Sequence, residues 1–341
     1  MKRFFLMSVV LISLLTACNK DWEFPDFKYS TVYFPYQAPV RTLVLGEDLF
    51  DNTLDNQRKF MIMASMGGVY ENKKDVTLDL VLDNSLTQNV RFGSANGADV
   101  IAMPANYYVL PQDLKIVIPA GKVIGGIEVQ LTDAFFADPR SIRNTFVIPL
   151  RINSVTNADS VLRGTPNKIA PDPRKSADWG IAPKDFVLYA VKYINPYHGF
   201  YLRRGVEEVK GNGNPALDTL VKYRNEFVER DQVVGLFTKS LTQDSISLNA
   251  RTTGNINVPF QMVLNFNNPA AVTVSAPANA TYTVTGGGAF VKQGDSWGNQ
   301  KRDVLHLKYT VNFGTTIHSL TDTLVMRDRG VKFETFNPVV Y

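Results

Sequence analysis

The sequence has 341 residues, of which 45% are hydrophobic and 11% aromatic, and it carries a formal net charge of +4. This length is enough for two domains of ordinary size, while so small a charge does not indicate the clustered basic face that a nucleic-acid partner requires. A single cysteine excludes an internal disulfide and a thiolate metal centre, and with three histidines we expect neither a metal site nor a cofactor.

Residues 1–17 have the pattern of an export signal. Lys2 and Arg3 precede an apolar run from Phe4 to Ala17, which is too short for a helix that crosses ~30 Å of hydrocarbon. The next residue is Cys18, and Leu15-Thr16-Ala17-Cys18 resembles a bacterial lipobox. The resemblance implies that Cys18 is lipidated and becomes the new N-terminus, with an ordinary secretory signal as the alternative.

Residues 18–28 are polar and aromatic and are predicted to form a tether between the lipid and the folded body. Lys20-Asp21-Trp22-Glu23 resembles the signal that sends lipoproteins to the outer face of the cell in Bacteroidetes. We therefore expect a lipid-anchored outer-membrane protein that faces the cell exterior. A generic solvated linker is the alternative interpretation.

Residues 29–153 read as a series of short strands bounded by Pro or Gly, and helical periodicity does not persist. About eight strands with turns roughly every ten residues are typical of an immunoglobulin-like β-sandwich. The predicted strands are Thr31–Phe34, Arg41–Leu45, Lys59–Met63, Val76–Leu82, Tyr107–Leu110, Lys115–Ile118, Ile127–Leu131 and Asn144–Ile152.

Residues 154–184 contain four prolines and few apolar residues, so they are predicted to form a linker that drapes over the junction between two domains. Trp179 lies inside this segment, and we expect it to pack at the interface between the domains. Ligand contact is the less favoured interpretation.

Residues 185–341 form a second antiparallel β domain, predicted as a calycin-like barrel or a second sandwich. Gly286-Gly287-Gly288 lies between two predicted strands and favours a hairpin turn or a bulge. The predicted strands are Phe186–Tyr193, Gly199–Gly205, Leu220–Arg230, Val233–Thr238, Ser245–Asn249, Gln261–Phe266, Ala271–Ser275, Ala280–Thr285, Ala289–Lys292, Asp303–Phe313 and Thr321–Arg327.

No motif for catalysis or nucleotide binding is present. The sequence has no dinucleotide fingerprint, no phosphate-binding loop and no Gly-x-Ser-x-Gly elbow, so we do not expect an enzyme. A glycoside hydrolase needs two carboxylates that face each other across the sugar, and these can be far apart in sequence. Glycoside hydrolysis therefore stays open as the less favoured alternative.

Two stretches have the composition of a carbohydrate site, in which aromatic rings stack on sugar C–H faces and polar side chains meet the hydroxyls. The first is a predicted loop around Trp297, with Asp295 and Asn299 beside it. The second groups Tyr197 and Tyr201 around His198. A structural role for Trp297, as a lid on its own barrel, is the competing interpretation.

Five stretches of the chain carry a family resemblance, namely Asn106–Pro111, Ile118–Gly121, Phe146–Ile152, Val191–Gly199 and Trp297–Arg329. Nearly the whole chain after the signal resembles the two-domain lipoproteins of unknown function from Bacteroidetes polysaccharide-utilisation loci. The resemblance implies an accessory glycan-binding role beside an outer-membrane transporter complex, and Trp297 belongs to the family pattern, which favours its structural role.

The sequence therefore predicts a surface lipoprotein that captures a glycan, with the membrane reached only through its lipid anchor. A structural or adhesive protein that binds a protein partner, such as the transporter complex, is the first alternative. We expect affinity to come from the C-terminal domain, with the N-terminal sandwich as a spacer.

Overall fold

The structure is a computed structural model that describes residues 29–70 and 72–341. The predicted signal segment, Cys18 and the tether lie outside the described residues. The protein is nearly all β, with 54% of residues in strands and 11% in helices, and its C-terminal part is a closed barrel. The all-β prediction is confirmed.

The N-terminal domain has two short α-helices, α1 (Thr53–Asn56) and α2 (Asp133–Ala137). Its strands before the barrel are β1 (Thr31–Tyr33), β2 (Pro39–Val44), β3 (Lys59–Gly67), β4 (Val76–Leu82), β5 (Val90–Phe92), β6 (Ile101–Ala102), β7 (Tyr108–Val109), β8 (Lys115–Ile118), β9 (Ile124–Leu131), β10 (Phe146–Thr156), β11 (Ser160–Val161), β12 (Thr165–Pro166), β13 (Trp179–Ile181) and β14 (Phe186–Ile194). With β24 (Glu334–Thr335) from the end of the chain, most of these strands form one continuous sheet in the order β11-β1-β3-β9-β8-β4-β10-β14-β2-β24, with β6 beside β10 and β7 beside β9.

This sheet folds over onto itself and encloses a core between two layers. The ring of Phe60 on β3 stacks on the ring of Tyr189 on β14 with centroids 5.4 Å apart, although several strands separate β3 from β14 in the sheet. Adjacent strands are ~4.8 Å apart, so a flat sheet would hold these rings well over 20 Å apart. The observed contact requires a sandwich-like arrangement.

Strand β14 belongs to the N-terminal sheet, and this differs from the predicted boundary between residues 184 and 185. It pairs antiparallel with β10 and parallel with β2, from Ala190↔Val40 to Ile194↔Val44. Its pattern is apolar on both faces, as expected for a strand inside a two-layer core. A local pattern cannot show which sheet such a strand joins.

The predicted linker packs on the N-terminal domain and does not drape over the domain junction. Strand β11 pairs with β1, β12 pairs with β13, and the backbone carbonyl of Lys184 accepts a hydrogen bond from the N–H of Phe34 at 2.9 Å. Trp179 donates its indole N–H to the carbonyl of Asp172 at 2.8 Å, within the same segment. The proline-rich segment therefore packs along the N-terminal domain.

The C-terminal domain is a closed eight-stranded antiparallel barrel, so the barrel alternative is the one observed. Strand β15 closes it by pairing with both β17 and β23, and β16 extends the sheet from the far half of β15. The strands are β15 (Gly199–Gly211), β16 (Thr219–Tyr223), β17 (Gln232–Ser240), β18 (Gln243–Arg251), β19 (Asn257–Asn265), β20 (Val272–Ser275), β21 (Thr283–Trp297), β22 (Gln300–Asn312) and β23 (Thr316–Asp328).

The three consecutive glycines lie inside strand β21, not in a turn. A Cβ at Gly286 would meet the Lys308 carbonyl oxygen at 2.4 Å, and one at Gly287 would meet that of Val272 at 2.2 Å. Gly288 is tighter still, at 1.7 Å from the His306 carbonyl oxygen. The glycines let β21 press against both of its neighbours as the barrel closes.

The chain returns to the N-terminal domain after the barrel. Strands β24 (Glu334–Thr335) and β25 (Pro338–Val340) pair with β2 and β5 respectively. The barrel is therefore held between two segments of the N-terminal domain, namely β14 before it and residues 333–341 after it.

Short 3-10 turns complete the described elements. They are Asn84–Thr87, Ala105–Tyr107, Pro139–Ile142, Ser176–Asp178, Pro215–Leu217, Val228–Arg230, Thr253–Asn255 and Pro269–Ala271.

Candidate functional site

Trp297 lies at the tip of a long β-hairpin, where the sequence predicted a loop. Strands β21 and β22 stay paired as far as Trp297↔Gln300, and only Gly298 and Asn299 connect them. Both connecting residues have positive φ, 60° and 59°, as a two-residue type I′ turn requires. Glycine and asparagine adopt this conformation at low cost, so the hairpin follows from the local sequence.

The Trp297 ring is half-buried and is held by Arg302. The guanidinium carbon of Arg302 lies 5.3 Å from the ring centroid, which is a cation–π distance. Arg302 is the diagonal neighbour of Trp297 across the hairpin, two residues beyond Gln300 on the same face. This contact orients the ring at the tip of the hairpin.

A groove of about 460 Å³ runs between the hairpin tip and the 3-10 turn Val228–Arg230. Its lining residues are Val228, Glu229, Ser296, Trp297, Gly298 and Asn299. Trp297 and Asn299 therefore lie in the same groove. Asp295 is exposed outside the groove, where its carboxylate accepts the N–H of Ser296 at 2.7 Å.

Arg302 also lines a second concavity, a cleft of about 210 Å³ between the two domains. Its lining residues are Glu47, Asp48 and Leu49 from the N-terminal domain, with Gln293, Lys301, Arg302, Asp303, Met326, Arg327, Asp328 and Arg329 from the barrel and the segment after it. Two buried atoms of this lining, Asp48 Oδ2 and Arg302 Nε, have no hydrogen-bond partner among the described residues. We call the groove and the cleft together the Trp297 face.

Tyr197 and Tyr201 are not part of this face, because both are built into the packing of the barrel. Tyr201 is 0% exposed, and its hydroxyl donates to the Tyr197 carbonyl at 2.6 Å. The Tyr197 ring stacks on Phe266 with centroids 3.8 Å apart and meets Phe290 edge-on at 5.0 Å. The alternation of β15 turns Tyr201 into the barrel, so the predicted ligand contact is corrected to a structural role.

His198 is a hydrogen-bond acceptor at the domain junction. Its Nδ1 accepts the backbone N–H of Thr238 at 3.1 Å, and this fixes the neutral imidazole. Burial, with the nearby positive charges of Arg329 and Lys192, lowers the pKa of His198 from 6.5 to about 4. His198, which the sequence grouped with Tyr197 and Tyr201 as a second candidate stretch, does not line the Trp297 groove.

Sequence reasoning missed Arg302, Glu229 and Asp48 as members of the face. The signal for Arg302 was present, because a Gly-Asn pair between alternating segments indicates a two-residue hairpin and so fixes the register. Glu229 and Asp48 come from distant segments, and no local pattern connects them with Trp297.

Neither a metal site nor a membrane-spanning helix is found in the part of the chain that the structure describes. No group of three or more His, Cys, Asp or Glu side chains there could hold a metal ion. No described helix is long and apolar enough to cross a bilayer.

Two family profiles match the chain. Residues 196–330 match a domain of unknown function, DUF5627, and residues 27–159 match a profile described as an N-terminal domain. The first match begins directly after β14, in agreement with the pairing of that strand. No curated protein matches the sequence.

Two solved structures from Bacteroides ovatus, both of unknown function, are similar to the chain. One is 11% identical with a TM-score of 0.42, covering 91% of this chain and 99% of its own. The other is 39% identical with a TM-score of 0.86, and the match covers 92% of this chain and 100% of that one. The chain therefore belongs to the family of this second Bacteroides ovatus protein, a family of two-domain Bacteroidetes proteins.

Proposed function

We propose that the protein is a cell-surface glycan-binding lipoprotein and that it binds its ligand on the Trp297 face. The observation that carries the proposal is the half-exposed Trp297 ring, oriented by Arg302 and flanked by Glu229 and Asn299. A flat ring beside polar side chains suits a sugar, whose C–H face stacks while its hydroxyls hydrogen-bond.

The cleft supports an extended ligand. Asp48 Oδ2 is an acceptor without a partner and Arg302 Nε is a donor without one. Because buried polar groups left unsatisfied cost free energy, a ligand that supplies both functions gains affinity there. A sugar hydroxyl does so, since it donates one hydrogen bond and accepts others. Arg302 lines the cleft and its guanidinium lies over the Trp297 ring of the groove, so one oligosaccharide would reach both.

The lipid anchor at Cys18 and the outward-facing signal at residues 20–23 complete the proposal. A protein tied to the outer membrane by lipid would hold a captured glycan close to the transporter complex that imports it. The N-terminal domain would act as the spacer between the lipid and the barrel.

The test is a glycan array followed by calorimetry on the intact chain and its Trp297→Ala variant. We expect binding of at least one poly- or oligosaccharide, weakened about tenfold or more by Trp297→Ala, which corresponds to roughly 1.4 kcal/mol. Trp297→Phe should retain part of the affinity, because a smaller ring still stacks.

The matched control is Tyr29→Ala, which removes a ring that is 70% exposed on the N-terminal domain. It should leave glycan binding unchanged, and both variants should melt within a few degrees of the parent. An array without any glycan signal, or equal affinity in the Trp297→Ala variant, would show that the Trp297 face is not a glycan site.

A further inference from the structure

The barrel interior holds a cluster of charged and polar side chains beyond the Trp297 face. Arg203 and Glu207 point inward from β15, while His318 and Asp322 point inward from β23. All four are at most 1% exposed. The apolar core fills the rest of the barrel, so these charges are concentrated in one part of it.

The acids of this cluster are fully engaged inside the barrel. Asp322 accepts from Arg203 Nε at 3.0 Å and from the Tyr309 hydroxyl at 2.7 Å. Glu207 accepts the Tyr223 hydroxyl and the Arg251 backbone N–H, and it contacts His318 Nδ1 at 2.5 Å. Both carboxylates therefore have partners within the buried cluster.

A pocket of about 400 Å³ opens at this mouth, within the ~300–1,000 Å³ range of small-molecule sites. Three cations line it, Lys222, Arg224 and Arg251, and its other polar walls are mainly amides, among them Asn225, Gln232 and Asn249. No acidic side chain of the described residues lines it. Lys222 and Arg224 form no ion pair with a described residue.

The pocket is built on the buried cluster. Tyr223 lines the pocket and bonds Glu207 beneath it, and the Arg203 guanidinium lies 4.0 Å from the Tyr223 ring centroid. Arg203 also donates to Gln232 Oε1 at 3.4 Å, while its NH2 nitrogen, in a side chain with 0% exposure, has no partner among the described residues. The buried guanidinium of Arg203 thus contacts two lining residues of the pocket, Tyr223 and Gln232.

The loop that bears Arg224 and Asn225 is fixed before any ligand arrives. Asp231 is 3% exposed; it accepts the Asn225 N–H at 2.8 Å and pairs with Arg204. A preformed site loses less entropy on binding than one that must be ordered.

From this geometry we infer that the barrel mouth binds a small polyhydroxylated anion of the sugar-acid class. The lining cations supply charge-assisted hydrogen bonds to a carboxylate, and the amides donate to and accept from hydroxyl groups. The site is separate from the Trp297 groove and does not depend on the proposed function, although the loop of residues 224–231 contributes to both concavities.

The experiment is calorimetric titration of the purified chain with D-glucuronate, D-glucose and inorganic sulfate. Glucuronate should bind, glucose should bind much more weakly, and added salt should weaken glucuronate binding by screening. Arg224→Gln and Lys222→Gln should each weaken glucuronate binding about tenfold. The matched control Lys239→Gln, an exposed lysine on the same barrel outside the pocket, should bind like the parent.

Trp297→Ala should leave glucuronate binding unchanged, which separates this site from the Trp297 face. Melting temperatures of all variants establish that they are folded. The proposal is overturned if glucuronate does not bind, or if Arg224→Gln and Lys222→Gln both bind it like the parent. Equal affinity for glucose would show that the site does not recognise the carboxylate and would overturn the proposal. Sulfate binding as tight as glucuronate binding would show that the site is not specific for sugar acids and would also overturn it.

Discussion

His198 and Asp244 share one buried hydrogen-bonded cluster at the junction of the domains. Asn195 connects them, since its Nδ2 donates to Asp244 Oδ2 at 2.6 Å and its Oδ1 accepts the His198 N–H at 3.0 Å. Burial raises the pKa of the Asp244 carboxyl from 3.8 to about 7 and lowers that of His198 to about 4. The cluster is therefore sensitive to pH at two points.

The two groups affect stability in opposite directions. Between about pH 4 and 7 the folded protein keeps the Asp244 proton that the unfolded chain has released, so Asp244 lowers stability as pH rises. Between about pH 4 and 6.5 the unfolded chain keeps the His198 proton that the folded protein lacks, so His198 raises stability with pH. In the parent protein these contributions largely cancel over their shared window.

Asp244→Asn should remove one of these contributions and reveal the other. We expect the free energy of unfolding of the variant, relative to the parent, to rise between pH 4 and 7 by on the order of 3 kcal/mol. Urea denaturation at intervals across this range measures it. Asp295→Asn, which changes an exposed carboxylate of the same domain, should show no such trend. A difference that stays constant with pH would contradict the assignment.

Gly205 shows how a single small residue makes room for the buried charges. It lies opposite Asp322 in the pairing of β15 with β23, and a Cβ at this position would meet the Asp322 Oδ1 at 2.0 Å. The carboxylate occupies the space that a side chain would need. The ion pair of Arg203 with Asp322 thus depends on a glycine of β15, the strand that also carries Arg203.

At the scale of elements, the glycine run of β21 determines how the barrel closes. The three glycines approach β20 and β22 so closely that Cβ atoms would collide with backbone carbonyl oxygens, which cannot move away as flexible side chains can. The close approach of β21 to both neighbours therefore requires glycine at these three positions.

Gly288→Ala should destabilise the barrel by about 3 kcal/mol, the upper range for overpacking, because its Cβ would lie 1.7 Å from the His306 carbonyl oxygen. Chemical denaturation measures the change. Thr285→Ala, at an exposed position of the same strand, serves as the control and should change stability by less than ~1 kcal/mol. Equal stability of the two variants would show that β21 relaxes without its glycines.

Local patterns predicted the strands well where one face of the strand is buried. The predicted ranges Val76–Leu82 and Lys115–Ile118 match β4 and β8 in full. The alternation of such strands reports burial directly. The range Leu220–Arg230 was wrong beyond Tyr223, because the strand gives way to the loop that frames the barrel mouth.

Pairings between distant segments could not be predicted in the same way. Strand β14 is apolar on both faces, and nothing in its own residues distinguishes the sheet before it from the barrel after it. For the same reason the sequence singled out Trp297 and Asn299 but not Glu229, which reaches the groove from the connection between β16 and β17. Composition identifies a residue's chemistry, whereas tertiary structure decides its neighbours.

At the scale of the whole molecule, Arg329 ties the two domains together. Its guanidinium donates to the carbonyls of Asn195 and His198 on the barrel side, at 2.7 and 2.6 Å. It also donates to the carbonyls of Leu45 and Glu47 in the N-terminal domain, at 3.1 and 3.0 Å. One buried cation thus satisfies acceptors on both sides of the junction.

Removal of residues 331–341 should destabilise the N-terminal domain while the barrel stays folded. The segment contributes the Phe336 ring, 4.6 Å from that of Phe92, and a 2.8 Å ion pair of Glu334 with Lys192. We expect a loss on the order of 3 kcal/mol from the buried rings and uncovered strands. Calorimetry should show a lower first transition with the barrel transition retained.

The Lys332→Ala variant, which keeps all these contacts, should melt like the parent. A truncated chain that unfolds in one transition at the parental temperature would show that the segment contributes nothing to the N-terminal domain.

The return of the chain to β2 and β5 also has a consequence for folding order. The barrel is assembled mainly from hairpins between consecutive strands, which close short loops and therefore form quickly. The pairing of Pro39 with Thr335 joins a segment before the barrel to one after it, and it can form only after β24 has been synthesised. Until then β2 presents an uncovered edge, which is a site for mispairing with another chain. We therefore infer that the N-terminal domain, although made first, is the last to be completed.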